Sequence, residues 1–534
     1  MIAEEPKMDP VTLEILKNAF TAVPEEMGAV LKRTAYSPNI KERMDASCAL
    51  FDSKGRMLAQ AEHIPVHLGA MPLTVAFVLR HVEELQEGDQ IIVNDPYHGG
   101  SHLPDLTLIK PVFYEGALVG YVVNRAHHAD VGGMAPGSMP GNSTEIFQEG
   151  LIIPPCKLVI EGKENEAVFA IIKANTRTPA ERVGDIRAQI AANNVGALRV
   201  AELIQKYGAD TYHEFAESII TYSETRMRHA ISAMPDGTYT AEDFLDDDGI
   251  TDEPVKIAVR ITIAGSAITI DFAGTDPQRR GNINAPYAVT LSAVYYVLRC
   301  VTDPEIPPNH GCYLPLTVNV PEGTVLNPRP PAAVSSGNVE TSQRIVDVLL
   351  LALHEALPDI IPAQSQGTMN NVVIGGQNDA GDGFTYYETI AGGQGALPFK
   401  DGEDGIHTHM TNTANTPIEA LELSYPLQVE KYELIPDSGG KGRFRGGLGI
   451  RRAIKVLVDN ATLSLQSDRR KYQPKGLCGG ENGRAGKNYV LRNNKKLDLP
   501  SKVTMPLEKG DIVVIETPGG GGYGMARQTR ISER

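Results

Sequence analysis

The stretch DLTLIKPVFYEGALVGYVVNRAHH, residues 105–128, constrains the fold of this chain more than any other. Two runs rich in Val, Leu, Ile, Tyr and Phe flank the dipeptide Glu115-Gly116, a turn signal between strands. Pairing around that turn carries the end of the second strand, at His127, back to the start of the first, at Asp105. Side chains alternate faces along a strand, so one residue more or fewer in the turn would move a side chain to the opposite face. The spacing predicts that Asp105 and His127 are near each other and leaves their facing open.

Histidine concentrates around this hairpin. Seven of the 13 histidines lie between His63 and His128, six of them in EHIPVH, YHGGSH and AHH. His102 and Asp105, three apart across Leu103-Pro104 at the entry to a strand, can turn toward one point, and the hairpin adds His127. Neutral imidazole and carboxylate suit Zn²⁺, Fe²⁺ or Mn²⁺, and a site with three or four such ligands keeps a position for water or substrate. His128 and Asp130 are placed to orient those ligands. The competing reading is a set of loop histidines that cap backbone groups. His63 and His67 sit closer to it, since EHIPVHLGAMP also reads as a loop entering a helix.

Charge and cysteine usage narrow the chemistry. A net charge of −16 without any Lys/Arg run argues against nucleic acid as a partner. The N-terminus MIAEEPKMDPVTLEIL has no apolar leader and no stretch approaches 18 apolar residues, so neither export nor a membrane span is expected. Five cysteines without a CxxC pair fit buried thiols in a reducing cytoplasm, which leaves N and O ligands for any metal. Cys48 is expected to be buried rather than reactive. There is no GxSxG elbow and no phosphate loop, because Lys487 in NGRAGKN lacks the first glycine and the following Ser/Thr. TPGGGGYG at 517–524 matches GxGxxG but has only ten residues after it, too few for a dinucleotide-binding unit, and reads as a glycine turn.

The 534 residues read as a mixed α/β (α+β) fold with hairpins and helices around one large core. Asp9 and Pro10 open a helix that runs to Tyr36, which Pro24 should break or kink. ASCALFDSKGRMLAQ forms a hairpin at Ser53-Lys54-Gly55, and a helix follows over roughly 69–86. A helical block spans Pro179 to Met234, interrupted at Gly208; VKIAVRITIAGSAITIDFAGTD forms a hairpin, and YAVTLSAVYYVLRCV a buried helix. Three regions are expected: an N-terminal α/β region over 1–310 with the metal site, a Pro/Gly-rich region over 311–426 with a helix near Ser342–Ala356, and a β-rich region over 427–534. Two stretches, VSSGNVETSQR and DGIHTHMTNTANTPIEALE, are dense in polar residues; the second suits either substrate hydrogen bonding or a self-bonded loop. In DSGGKGRFRGGLGIRR, Arg443, Arg445, Arg451 and Arg452 suit a solvated turn better than an anion site.

MDPVTLEILKN, AQAEHIPVHLGAMP, NDPYHGGSHLPD, GNVETSQRI, HTHMTNTANTPIE, GGKGRFRGGLG and TPGGGGYG, taken in order, resemble the hydantoinase B/oxoprolinase family over nearly the whole chain. The resemblance implies one subunit of an ATP-dependent hetero-oligomer. An A-type ATPase partner, which uses ATP and Mg²⁺, would phosphorylate the carbonyl oxygen of a small-molecule substrate. The B-type subunit, similar to this chain, would hold a divalent metal where the activated carbonyl is attacked. Its ligands would be Asp45, His102, Asp105 and His127, with His98 and His128 in supporting roles. The activity implied is hydrolysis of a cyclic amide such as hydantoin, N-methylhydantoin or 5-oxoproline. The alternatives are a subunit of a ketone carboxylase and a non-catalytic scaffold.

Overall fold

The computed structural model describes residues 9–61 and 64–526, so His63 lies outside the described residues. The fold is mixed α/β, with helices packed on four sheets. A seven-stranded sheet takes its strands in the order 57–61, 46–52, 117–127, 105–114, 90–93, 156–160 and 163–164. A second sheet joins 316–319, 267–271, 255–264 and 237–245, and a third joins 383–389, 371–377, 461–466 and 502–507. A fourth joins 427–434, 450–456, 512–516, 487–492 and 495–499. No helix among the described residues is long and apolar enough to cross a membrane.

The hairpin expected at residues 105–128 forms at the centre of the seven-stranded sheet. Glu115 and Gly116 both take positive φ, 49° and 81°, as a two-residue turn between right-twisted strands requires. Between Val112 and Phe113 the pairing shifts by one residue, a bulge that the sequence does not announce. With that shift included, Asp105 stands directly opposite His127 and Thr107 opposite Arg125.

The first helix, Pro10–Thr34, starts where expected, with Asp9 Oδ1 accepting the amides of Val11 and Thr12 at 3.1 Å. It runs unbroken through Pro24, against expectation. An interior proline costs about 3 kcal/mol. Here Leu16, Phe20, Val23, Met27 and Leu31 bury one continuous face in an apolar cluster with the helix Pro179–Tyr207, which outweighs it. The helix expected over 69–86 covers Ala70–His81. Glu83, Glu84 and Glu87 follow, a concentration of negative charge that the C-terminal end of a helix disfavours. Gly208, at φ 89°, separates Pro179–Tyr207 from Ala209–Ser232 as read.

Two buried helices, Tyr287–Val301 and Ser342–Leu353, line the inside of the largest apolar cluster. A single π turn, Gly337–Thr341, leads into the second. A Cβ on Gly337 would stand 1.9 Å from the carbonyl oxygen of Asn284, so only glycine lets the turn approach that backbone. The same helix is tied down by buried charge. Arg344 reaches Asp243 at 3.1 Å and Asp468 at 2.9 Å, and Arg469 reaches Asp347 at 2.6 Å and Asp243 at 3.0 Å.

TPGGGGYG is not an isolated turn. Its backbone packs between three other glycine-rich loops, with Gly520 N donating to Gly447 O and Gly440 N donating to Gly520 O. Of the four arginines in the neighbouring loop, Arg452 is buried on Glu388 at 2.9 Å, Arg445 pairs with Asp404 and Arg451 with Glu433 and Glu516. A Cβ on Gly520 would meet the Gln394 carbonyl oxygen at 1.9 Å. Gly520→Ala should therefore destabilise the fold by about 1–3 kcal/mol, read as a lower midpoint in chemical denaturation.

Candidate metal centre

Three neighbouring strand ends and one loop converge at one edge of the seven-stranded sheet. Asp45 immediately precedes the strand Ala46–Asp52, and its carbonyl oxygen accepts the His127 amide at 3.0 Å. His127 in turn faces Asp105. Asp45, His127 and Asp105 thus sit side by side across adjacent strands, and the 98–104 loop swings His102 over them. Met44, at φ 56°, turns the chain into the first of these strands. Alternation along the second strand sends Arg125 and His127 to this face and Asn124 and His128 to the other, toward the helix Pro179–Tyr207.

The core of the site is a triangle. His102 Nε2, His127 Nδ1 and Asp105 Oδ1 are each 3.0 Å from the other two. All three side chains are at most 3% exposed. Three mutual contacts of that length would need three bridging protons; the carboxylate brings none and each ring nitrogen at most one, so hydrogen bonding alone leaves one contact unexplained. Adjacent ligands of an ion with bonds of about 2.1 Å and right-angled geometry stand ~3.0 Å apart, the side of this triangle. The adjoining cavity, about 20 Å³, has room for one ion or water and is lined by Asp45, His67, Asn338 and Tyr387 besides the three. The donor set, two imidazoles and one or two carboxylates, fits Zn²⁺, Fe²⁺ or Mn²⁺.

The surroundings hold the triangle in place. Asp105 Oδ2 accepts the Ser101 hydroxyl and lies 3.6 Å from His67 Nε2, while His67 Nδ1 pairs with Ser47 Oγ at 2.9 Å. The ring of Tyr387 stacks on His127 with centroids 4.5 Å apart, and the Arg43 guanidinium lies over the Tyr387 ring, 4.7 Å from its centroid. Arg43 also comes within 4.0 Å of Asp45. The Asn338 amide reaches His102 Nε2 at 3.2 Å. Burial alone would raise the Asp105 pKa, but His102 and the bonds from His102, His127 and His67 hold it well below the carboxylate range. Burial pulls His127 down; in His102 the Asp105 charge outweighs burial and the value rises.

The structure brings together Asp105, His102 and His127 as one cluster, and Asp45 lines the same cavity just outside it. It does not bring His98, His128 or Asp130 there. His98 lies at the surface, bonded to Asp95 at 2.7 Å and stacked on Phe77. The His128 ring binds Gln189 at 2.9 Å on the opposite face, and only its amide, donating to Pro104 O, braces the His102 loop. Asp130 is a backbone clamp, accepting the amides of Gly132, Gly137 and Arg177 and pairing with the Arg177 guanidinium. Cys48 is buried, its thiol pushed up to about 12, an inert group as read.

Three contributors escape a local reading of the sequence. His67 had its signal in EHIPVH, and Asn338 in the polar run 334–344. Tyr387 comes from the strand Gly383–Thr389, with no motif to mark it. Beside this small cavity, and sharing Thr411 with it, lies a larger pocket of about 360 Å³. His407, Thr408, His409 and Asn412 of the HTHMTNTANT stretch line it, with Tyr296 and Leu350 from the two buried helices.

Comparison with known proteins places the chain in a family. The Hydantoinase B/oxoprolinase family profile matches residues 9–526, and the chain belongs to that family. It is 41% identical over 544 residues to 5-oxoprolinase 1 of Arabidopsis thaliana, covering 97% of this chain but 42% of that protein. It is 37% identical to a Pseudomonas sp. (strain NS671) protein named as the B subunit of a D-/L-hydantoinase, covering 97% of this chain and 90% of the relative. The chain thus spans about two fifths of the 5-oxoprolinase and nearly all of the hydantoinase component. The crystal structure of the ATP-dependent caprolactamase from Pseudomonas jessenii superposes with TM-score 0.91 at 30% identity, over 97% of this chain and 92% of that one. A nucleotide-free acetone carboxylase shares the fold, with TM-score 0.90 at 20% identity over 97% of this chain and 76% of that one.

A cation held by this triangle predicts that the purified protein carries roughly one divalent metal per chain by elemental analysis. His102→Ala and Asp105→Asn should each lower retention by about a hundredfold while circular dichroism stays unchanged. Retention should rise with pH, because Asp105 keeps a proton on His102 above the ordinary imidazole value and the metal has to displace it.

Proposed function

We propose that this chain is the metal-binding B-type component of an ATP-dependent cyclic-amide hydrolase, with Asp45, His102, Asp105 and His127 as the metal ligands. An A-type ATPase partner, using ATP and Mg²⁺, activates the ring carbonyl by O-phosphorylation in this reading. The observation that carries it is the 3.0 Å triangle of His102, His127 and Asp105, whose cavity shares Thr411 with a pocket of small-molecule size. The names of the relatives support the substrate class, since 5-oxoproline, hydantoin and caprolactam are all cyclic amides.

When bound, a divalent cation supplies Lewis-acid activation of water near neutral pH and neutralises charge that develops on oxygen. The protein's own residues make that chemistry selective. Asp45 and Asp105 bring two negative charges, His67 and Ser101 fix the second carboxylate oxygen of Asp105, and Tyr387 holds the ring plane of His127. Ile64, Val66, Met369 and Met410 form the apolar wall of the small cavity. Thr411, at the boundary with the larger pocket, stands where a bound ring would meet the site. An amide is a poor electrophile, so activation of the carbonyl before attack explains the coupling to ATP.

Reconstitution with the A-type partner tests this. ATP-dependent ring opening of at least one of hydantoin, N-methylhydantoin or 5-oxoproline is expected, without bicarbonate, and Asp105→Asn should lower it by at least about a hundredfold. Strict dependence on bicarbonate with a ketone such as acetophenone would replace the proposal with a carboxylase. Full activity of His102→Ala in a metal-free preparation would leave a scaffold role as the better account.

A further inference from the structure

His127 lacks the anchor that a ligand histidine ordinarily has. Its Nδ1 faces His102 and Asp105. Its Nε2, the nitrogen that would normally donate to a carboxylate or carbonyl behind the ring, is buried and makes no hydrogen bond among the described residues. With one nitrogen held, the tilt of the ring is left to packing, and the group lying flat against it is Tyr387, at an interplanar angle of 23°. What fixes the Tyr387 ring therefore fixes His127.

The Tyr387 hydroxyl donates to Asn371 Oδ1 at 3.0 Å, and Asn371 Nδ2 donates to Glu340 Oε1 at 3.1 Å. Asn371 and Tyr387 are diagonal neighbours on paired strands, since Asn371 stands opposite Thr389 and Val373 opposite Tyr387. The direction of each bond is determined. Glu340 Oε1 also accepts the Met369 amide at 3.2 Å, so Asn371 has to present its NH₂ to the glutamate and its oxygen to the tyrosine. Turning that amide over would set oxygen against oxygen. Burial raises the Tyr387 pKa, which keeps its hydroxyl a donor. Burial pushes the Glu340 carboxyl up to about 7, against the Thr368 hydroxyl and the charges of Lys502 and Arg470. Oε1 remains an acceptor in either protonation state, because the proton can sit on Oε2.

Glu340 gives this chain of bonds a fixed base. It is 0% exposed and belongs to the π turn Gly337–Thr341, whose ends are pinned. Gly337 N donates to Asn282 O at 3.1 Å, and the Thr341 hydroxyl donates to Ile283 O. Single π turns of this kind recur at functional sites. We propose that Glu340 is a positioning residue of the metal centre, acting on His127 through Asn371 and the Tyr387 ring. This rests on the reading that His127 is a metal ligand. Since the same turn carries Asn338 to His102, one element serves both histidines.

Two measurements on the full-length chain test it. One is the affinity for added Zn²⁺, by competition with a chelator. The other is the ring C–H NMR signal of His127 in the metal-free chain, assigned by its loss in His127→Gln. Glu340→Leu should weaken Zn²⁺ binding by about tenfold to a hundredfold and shift the His127 signal. Glu340→Gln keeps a carbonyl oxygen at the same reach and should stay within about threefold of the unaltered chain. Tyr387→Phe removes only the hydroxyl and should resemble Glu340→Leu. The double variant Glu340→Leu/Tyr387→Phe should be no weaker than the weaker single one, because both break one chain of bonds. Additive losses overturn the inference, as does a Glu340→Gln variant as weak as Glu340→Leu or a His127 signal unmoved by Tyr387→Phe. A signal that moves in a chain that takes up no metal upholds the positioning role and overturns the metal reading instead.

Discussion

Everything near the centre of this molecule answers to one buried carboxylate. Asp105 is 1% exposed, and an ionised carboxylate taken out of water is tolerated only where other groups replace the water. Here the replacements come from three separate segments: Ser101 and His102 from its own loop, His127 from the paired strand, and His67 from the 3₁₀ turn Pro65–His67. Each of those in turn needs its own anchor. Ser47 holds His67, Tyr387 faces His127, and Asn338 reaches His102. Two of the anchors, Tyr387 and Asn338, lie far beyond Asp105 in the chain, so the site forms only when the later sheets have docked.

That docking is rigid for two different reasons. Buried ion pairs among Asp243, Arg344, Asp347, Asp468 and Arg469 bind the helix Ser342–Leu353 to two sheets at once. Losing one partner would strand a charge in the interior, so the network holds its members in one arrangement. Beyond it, the glycine loops around Gly447 and Gly520 stack backbone on backbone, bonded to Gln394 on the wall of the large pocket. Close-packed main chain has no side-chain rotamers to rearrange, which suits a wall that has to keep its shape.

Much of this is legible in the sequence. The cap and periodicity at Asp9, the hairpins at Lys54-Gly55 and Glu115-Gly116, the break at Gly208 and the strands beyond residue 427 are local signals, and the structure has each of them. The misreadings share one cause. Local pattern predicts that Pro24 breaks or kinks its helix, that the helix after Gly69 runs further, and that TPGGGGYG is a plain turn; in each, packing or charge from outside the segment decides the outcome. The histidine cluster is visible as a concentration, but its members sort by strand facing. His127 points to the site and His128 away from it, although they are neighbours in the chain.

The sequence by itself determined that an aspartate and a histidine meet at the open end of a hairpin, that N and O ligands rather than thiolates are on offer, and that no phosphate loop is present. These follow from spacing, turn chemistry and residue type, which act over a few residues. Only the tertiary structure decided that the bulge at Val112/Phe113 puts both side chains on one face, and that Asp45 arrives beside them across a neighbouring strand. It also decided that His67, Asn338 and Tyr387 complete the enclosure. Those outcomes depend on register and on contacts between segments far apart in the chain, and no local pattern of residues encodes them.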